Sequence, residues 1–233
     1  MNSAQTGERS FANDHQRFVS DVFHHLGQPL TELRCSIELA LRKPLDCAGY
    51  REALGSALQA ANRVVDAASF ARQLAEAEYP GGNLRVLDVT RVLQEAIDDF
   101  LPVADDAKVA MAWRMVDPVF IRADPARLHE MLFRVMDCVL HAASSGTMLT
   151  VSVESGDVQA SLNFSTHFQP LLWAEPSDRD CPKPPEEMHR SLQVARRMVQ
   201  AIGGTLLETA DSIGNTIRIR LPLAENSETV LIG

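Results

Sequence analysis

The sequence is short of several things, and each shortage removes a class of explanation. No apolar run approaches the roughly 18 residues of a membrane-crossing helix, and Met1 to Ser10 is polar, without a secretory signal. The expectation is a cytoplasmic protein with no membrane as partner and no membrane sensor of its own. Positive charge is scarce: 22 Lys and Arg stand against 31 Asp and Glu, a net charge of −9. That balance argues against nucleic acid as a partner. The four cysteines, Cys35, Cys47, Cys138 and Cys181, lack the paired spacing of a metal site. Cys35 and Cys138 lie in apolar helical patterns and are expected as small core residues. His129, His141, His167 and His189 come from separate segments, so no metal is expected. No repeat is visible, and glycine is missing altogether between Gly156 and Gly203.

What remains is ordinary globular material: 233 residues, 45% hydrophobic and 23% charged, enough for one or two domains. The N-terminal part reads as helix. From a cap at Asn13 or Asp14 to Lys43-Pro44, Val22, Leu26, Pro29, Leu30, Leu33, Ile37 and Ala40 fall on one face at 100° per residue. His24 then points the opposite way, with Gln28 one turn further along the same side and His25 on the flank. Pro29 costs about 3 kcal/mol in a helix interior, and Gly27 softens the same turn. The apolar phase survives the proline, so a kinked continuous helix is expected. A second helix, about Tyr50 to Glu78, carries Leu54, Leu58, Ala61, Val65 and Ala68 as a stripe. Two long helices and a short loop make an antiparallel hairpin, which buries little alone. A homodimer closing a four-helix bundle is therefore expected.

Tyr79-Pro-Gly-Gly-Asn marks a boundary, after which strands and helices mix. Strands are expected at Leu84–Val89, Val109–Met115 and Val119–Ile121, with helices at Thr90–Phe100 and Asp124–Ala143. A hairpin at Thr147–Val153 and Val158–Phe164 follows, then a helix at Met188–Ile202 stopped by Gly203-Gly204. Strands Thr205–Glu208 and Thr216–Leu221 close the pattern. This order predicts an α+β two-layer sandwich.

Phe23-His-His-Leu-Gly-Gln-Pro-Leu-Thr-Glu-Leu resembles the phosphoacceptor box of two-component sensor histidine kinases. His24 takes the place of the phosphorylated histidine, and His25 stands where the family has an acid. Asp124 to Ala142 resembles the helix carrying the family's Mg-binding asparagine, and Arg196 to Leu206 the helix and glycine pair after the ATP lid. The resemblance covers about residues 14–223. A disordered tail is expected at 1–10, and the resemblance implies a dimerisation and phosphotransfer hairpin at 11–78. A histidine-kinase ATPase (Bergerat) sandwich at 83–224 and a tail at 225–233 complete it.

The resemblance also shows what is missing. Cys138 holds the asparagine position, and a thiol suits Mg2+ poorly. His141 is atypical three residues on. The family's Asp-x-Gly-x-Gly aligns with Asn163, Ser165 and His167, and its second glycine loop with His189-Arg-Ser191-Leu192. The lid is replaced by a proline-rich, acidic loop from Glu175. These departures imply a degenerate ATP site, no resident cofactor, and ATP with Mg2+ only if the divergent site still works. The implied function is phosphotransfer through His24, to or from a response-regulator receiver domain, with Gln28 placed to orient a water. A separate histidine kinase or sensor protein would supply the input. Two readings stay open beside it: a working ATP-dependent kinase with a divergent site, and a non-catalytic dimeric scaffold or inhibitor of a kinase or response regulator.

Overall fold

The structure is a computed structural model that describes residues 26–42, 45–115, 118–167, 186–210 and 214–224. The expected tails at 1–10 and 225–233, the start of the first helix, His24, His25 and the acidic loop from Glu175 lie outside the described residues. The chain divides into two compact units, Met1–Gln73 and Leu74–Gly233.

The first unit is a helical pair. Helix α1 spans residues 26–42 and includes Pro29, which is buried. The Thr31 hydroxyl donates to the Gly27 carbonyl at 2.8 Å, in the turn the proline weakens. Helix α2 (Cys47–Ala77) starts three residues before the expected Tyr50, because the Asp46 carboxylate accepts from the Gly49 amide at 2.8 Å and extends the first turn. An ion pair between Arg63 and Glu32 ties α2 to α1. The buried positions of α2 within this unit are alanines, Ala57, Ala60 and Ala67. The expected stripe lies elsewhere: Leu54, Leu58 and Val65 are exposed, at 67%, 63% and 62%. Cys35, expected in a core, is exposed on α1. Its helical phase places it off the buried positions.

The second unit is the sandwich. Strand β1 (Arg85–Asp88) pairs antiparallel with β3 (Phe120–Ala123) as a small separate sheet. The main sheet has five strands: β2 (Ala110–Arg114), β4 (Met148–Ser155), β5 (Gln159–His167), β7 (Gly214–Pro222) and β6 (Thr205–Ala210), in that spatial order. Among the described residues only β2 and β4 run parallel; the other pairs of this sheet are antiparallel. Helices α3 (Val89–Asp106), α4 (Pro125–Ala142) and α5 (Glu186–Ala201) accompany the sheet.

Helices α3 and α4 begin at caps that their sequence offers. Asp88 caps α3 by accepting from the Thr90 amide at 3.0 Å. Asp124 caps α4 through the Ala126 amide, with Pro125 in the first helical position. Helix α3 outruns the expected Phe100 and passes through Pro102 to Asp106. Burial of Phe100 and Ala104 on the core side offsets the donor lost at the proline. The core between layers is apolar: Leu93 and Ile97 of α3, Leu132 and Met136 of α4, and Leu162 and Phe164 of β5 are all fully buried. Each such side chain contributes about 1.5–3 kcal/mol relative to exposure. Gly203, at φ 77°, and Gly204, whose added Cβ would lie 2.5 Å from the Arg220 carbonyl, end α5 and turn into β6. Among the described residues no helix is long and apolar enough to cross a membrane.

Candidate functional site

The residues that the sequence points to lie on three elements of the sandwich and one helix of the first unit. On α1, Gln28 is exposed. His24 and His25, which would complete that group, lie outside the described residues.

On α4, Cys138 is turned inward and is 2% exposed. Its Sγ donates to the Met188 carbonyl of α5 at 3.5 Å. Burial pushes its pKa up to about 11, and the charges of Asp137 and Glu208 act in the same direction. A hydrogen bond with Ser191 and the charge of Arg134 oppose them. The group is therefore a neutral thiol at neutral pH. Of the expected site residues, Cys138 and Ser191 are the two brought together, and what joins them is the packing of α5 onto α4.

Strand β5 separates the others from this pair. Ala160, Leu162, Phe164 and Thr166 are its buried alternate residues, so Ser161, Asn163, Ser165 and His167 point to the opposite face of the sheet. Asn163 uses its side chain within that face. Its amide nitrogen donates to Ser152 Oγ at 3.4 Å, and its amide oxygen accepts from Arg218 Nε at 2.7 Å. Ser165 Oγ meets Thr216 Oγ1 at 3.1 Å. His167 is exposed at the strand end, opposite Met148 and Gly214. The residue of β5 that shares the core side with Leu162 and Phe164 near the strand end is Thr166. It exchanges hydrogen bonds at 3.3 Å with the carbonyl and amide of Asn215. Period-two alternation carried forward from Leu162 and Phe164 is the signal that singles out Thr166.

His189 lies at the start of α5, exposed, with its Nε2 at 2.9 Å from the Gln193 side-chain nitrogen. His141 is exposed at the end of α4, its Nδ1 at 2.9 Å from the Asp137 carbonyl oxygen. His129 lies 3.6 Å from Asp99. Among the described residues no three His, Cys, Asp or Glu side chains converge.

Two of the positions that the resemblance assigns to a magnesium nucleotide are engaged within the protein. The position that should offer a hard oxygen ligand offers a buried, protonated sulfur already engaged with a carbonyl. The side chain expected to read a base faces away from Cys138, with its oxygen taken by Arg218.

No family model matches the chain. The sensor protein IrlS of Burkholderia pseudomallei is 26% identical over 154 residues, which make up 64% of this chain and 32% of that protein. The virulence sensor protein BvgS of Bordetella bronchiseptica is 25% identical over 232 residues, 90% of this chain and 19% of its own length. The Acinetobacter baumannii histidine kinase AdeS shares the fold with a TM-score of 0.54 at 18% identity, covering 86% of this chain and 98% of the other. The chain is similar in sequence to sensor proteins and in fold to histidine kinases. Histidine kinase ThkA, solved in complex with the response regulator protein TrrA, has a TM-score of 0.55 at 12% identity. That match covers 94% of this chain and 65% of ThkA. The helical hairpin and α+β sandwich expected from the periodicities are observed, and the histidine-kinase ATPase type expected from the resemblance is the fold shared with these structures. The chain spans about a third of IrlS and a fifth of BvgS.

Proposed function

We propose that this chain acts in two-component signalling as a dimeric histidine phosphotransfer protein whose own ATP-dependent phosphorylation is weakened or lost. The observation that carries the second half is Cys138, buried and hydrogen-bonded to the Met188 carbonyl where a nucleotide-binding relative needs a metal ligand. The first half rests on the sequence around His24 and on the kinship with sensor kinases.

In this reading a receiver domain brings an aspartyl phosphate and its own metal. The neutral His24 imidazole attacks phosphorus, the acyl O–P bond breaks, and an N–P bond forms while the carboxylate leaves. The reverse exchange passes the group on. Positioning does most of the work in such a transfer, which suits a protein with no functioning nucleotide site. Gln28 is exposed on α1, and in this reading it orients a water for hydrolysis. The exposed apolar side chains of the helical pair, Leu30 and Ile37 on α1 with Leu54, Leu58 and Val65 on α2, support the dimer in this reading. Two copies would cover them.

Titration of the purified protein with Mg-ATP to millimolar concentration is the deciding experiment. No binding is expected; saturable binding followed by label on His24 would restore the kinase. Incubation with a phosphorylated receiver domain then separates relay from scaffold. Label is expected on the chain, absent in His24→Ala and retained in His25→Ala, and an unlabelled wild type leaves only the scaffold.

A further inference from the structure

The segment Tyr79-Pro-Gly-Gly-Asn between α2 and β1 has the composition of a free joint, yet it is fastened to α4 and α5 at several points. The Asn83 amide donates to Asp124 Oδ2 at 2.9 Å, on the carboxylate that also caps α4. Gly81 takes φ 101°, and an added Cβ there would lie 2.4 Å from the Asp124 Cβ. Arg127 Nη2 donates to the Glu76 carbonyl at 3.0 Å. Helix α2 has no basic residue in its last turn, so the arginine of another helix serves one of its orphan carbonyls. Arg197 Nη1 meets Glu78 Oε1 at 3.2 Å. Tyr79 and Pro80 line an apolar cavity with Leu128, Met131, Met198 and Ile202.

The buried residues agree with this. Leu74 and Ala77, in the last turn of α2, are 7% and 1% exposed, and the compact unit that contains the sandwich begins at Leu74 rather than at the Pro-Gly-Gly turn. We propose that residues 74–83 form a latch. Asp124, Arg127 and Arg197 hold the end of α2 and the turn after it as part of the sandwich. Any bending between the two units then falls in the helical backbone of α2 near Gln73. The flexibility that Pro80, Gly81 and Gly82 would give an open joint is used up in a fixed conformation. Asp124 does double duty, so the same carboxylate that starts α4 also sets where the preceding chain lies. The latch does not depend on the phosphotransfer reading.

Hydrogen–deuterium exchange of the whole protein tests it. Peptides covering 76–84 are expected to exchange at least tenfold more slowly than an unstructured chain. The double variant Arg127→Ala, Arg197→Ala is expected to raise exchange there at least tenfold while peptides covering 131–139 stay unchanged. An unprotected 76–84 segment in the wild type, or a double variant that exchanges like the wild type, would overturn the latch. Should the double variant fail to fold, proteinase K on the wild type decides. Between residues 45 and 88 the first cut is expected within α2 before Leu74, and a first cut within Tyr79–Gly82 sinks the proposal.

Discussion

The two units of this chain solve the burial problem differently. The sandwich covers its large apolar side chains itself: Leu93, Ile97, Leu132, Met136, Leu162 and Phe164 are sealed between helices and sheet. The helical pair buries Ala57, Ala60 and Ala67 and leaves Leu30, Leu39, Leu41, Leu54 and Leu58 exposed. At roughly 25 cal/mol per Å2, small side chains give a helical pair little to hold it, while the sandwich has a core to itself. Among the described residues, the sandwich covers its own large apolar side chains and the helical pair leaves many of its own exposed.

The difference can be broken most severely from the sandwich side. Phe164→Ala should destabilise the sandwich by about 3–5 kcal/mol, read as a lower urea midpoint. A loss under about 1 kcal/mol would mean that the core is looser than its burial says. High pH should act on the same region. The Cys138 thiol titrates near 11 in the fold against 9.0 unfolded. The unfolded chain therefore loses its proton first, and stability is full below pH 9 and falls as pH rises toward 11. The expected loss is on the order of 2–3 kcal/mol, and Cys138→Ala should flatten that part of the profile. The thiol should also resist alkylation at pH 8 until the protein is unfolded, whereas exposed Cys35 and Cys47 react in the native state.

From the hairpin side the effects are smaller. Ala60→Leu, at a position 1% exposed, should overpack the first unit and cost about 1–3 kcal/mol. Hydrogen exchange should show it across α2 before Gln73, with the sandwich unmoved. Smallest of all, Arg34→Ala removes an exposed i, i+4 pair with Glu38. It should change stability by no more than about 0.5 kcal/mol in thermal melts. An effect above 1 kcal/mol there would contradict the view of α1 as a solvated helix on that side.

Much of this architecture is legible in the sequence because the apolar spacing is clear. The stripes of α4 and α5, the alternation of β4 and β5, and the Gly203-Gly204 stop all lie where periodicity puts them. Periodicity says which residues share a face, but not which face meets a neighbour. Leu54, Leu58 and Val65 form a stripe in the sequence, yet the buried residues are the alanines beside them. The candidate site shows the same limit. Asn163 attracts notice as a polar residue that could bond a base, but strand parity sends it to the far face with Arg218. Thr166, an unremarkable residue in composition, has the inward parity. Cys138 is read correctly as a core residue because it shares a helical phase with Val135 and Met131. The fastening of Asn83 to Asp124 spans 41 positions, and no local pattern encodes it.

The parallel pairing of β2 with β4 has a consequence for how the protein is made. During synthesis β2 leaves the ribosome well before β4, since Ala110 must wait for Met148, nearly forty residues later. At about 5–20 residues per second, the edge of β2 stays unpaired for several seconds. Trp113 and Met111 on that edge are then open to other chains. The order of emergence favours α3 as an early cover, because it is complete before β2 appears and shares the neighbourhood of that strand in the finished fold.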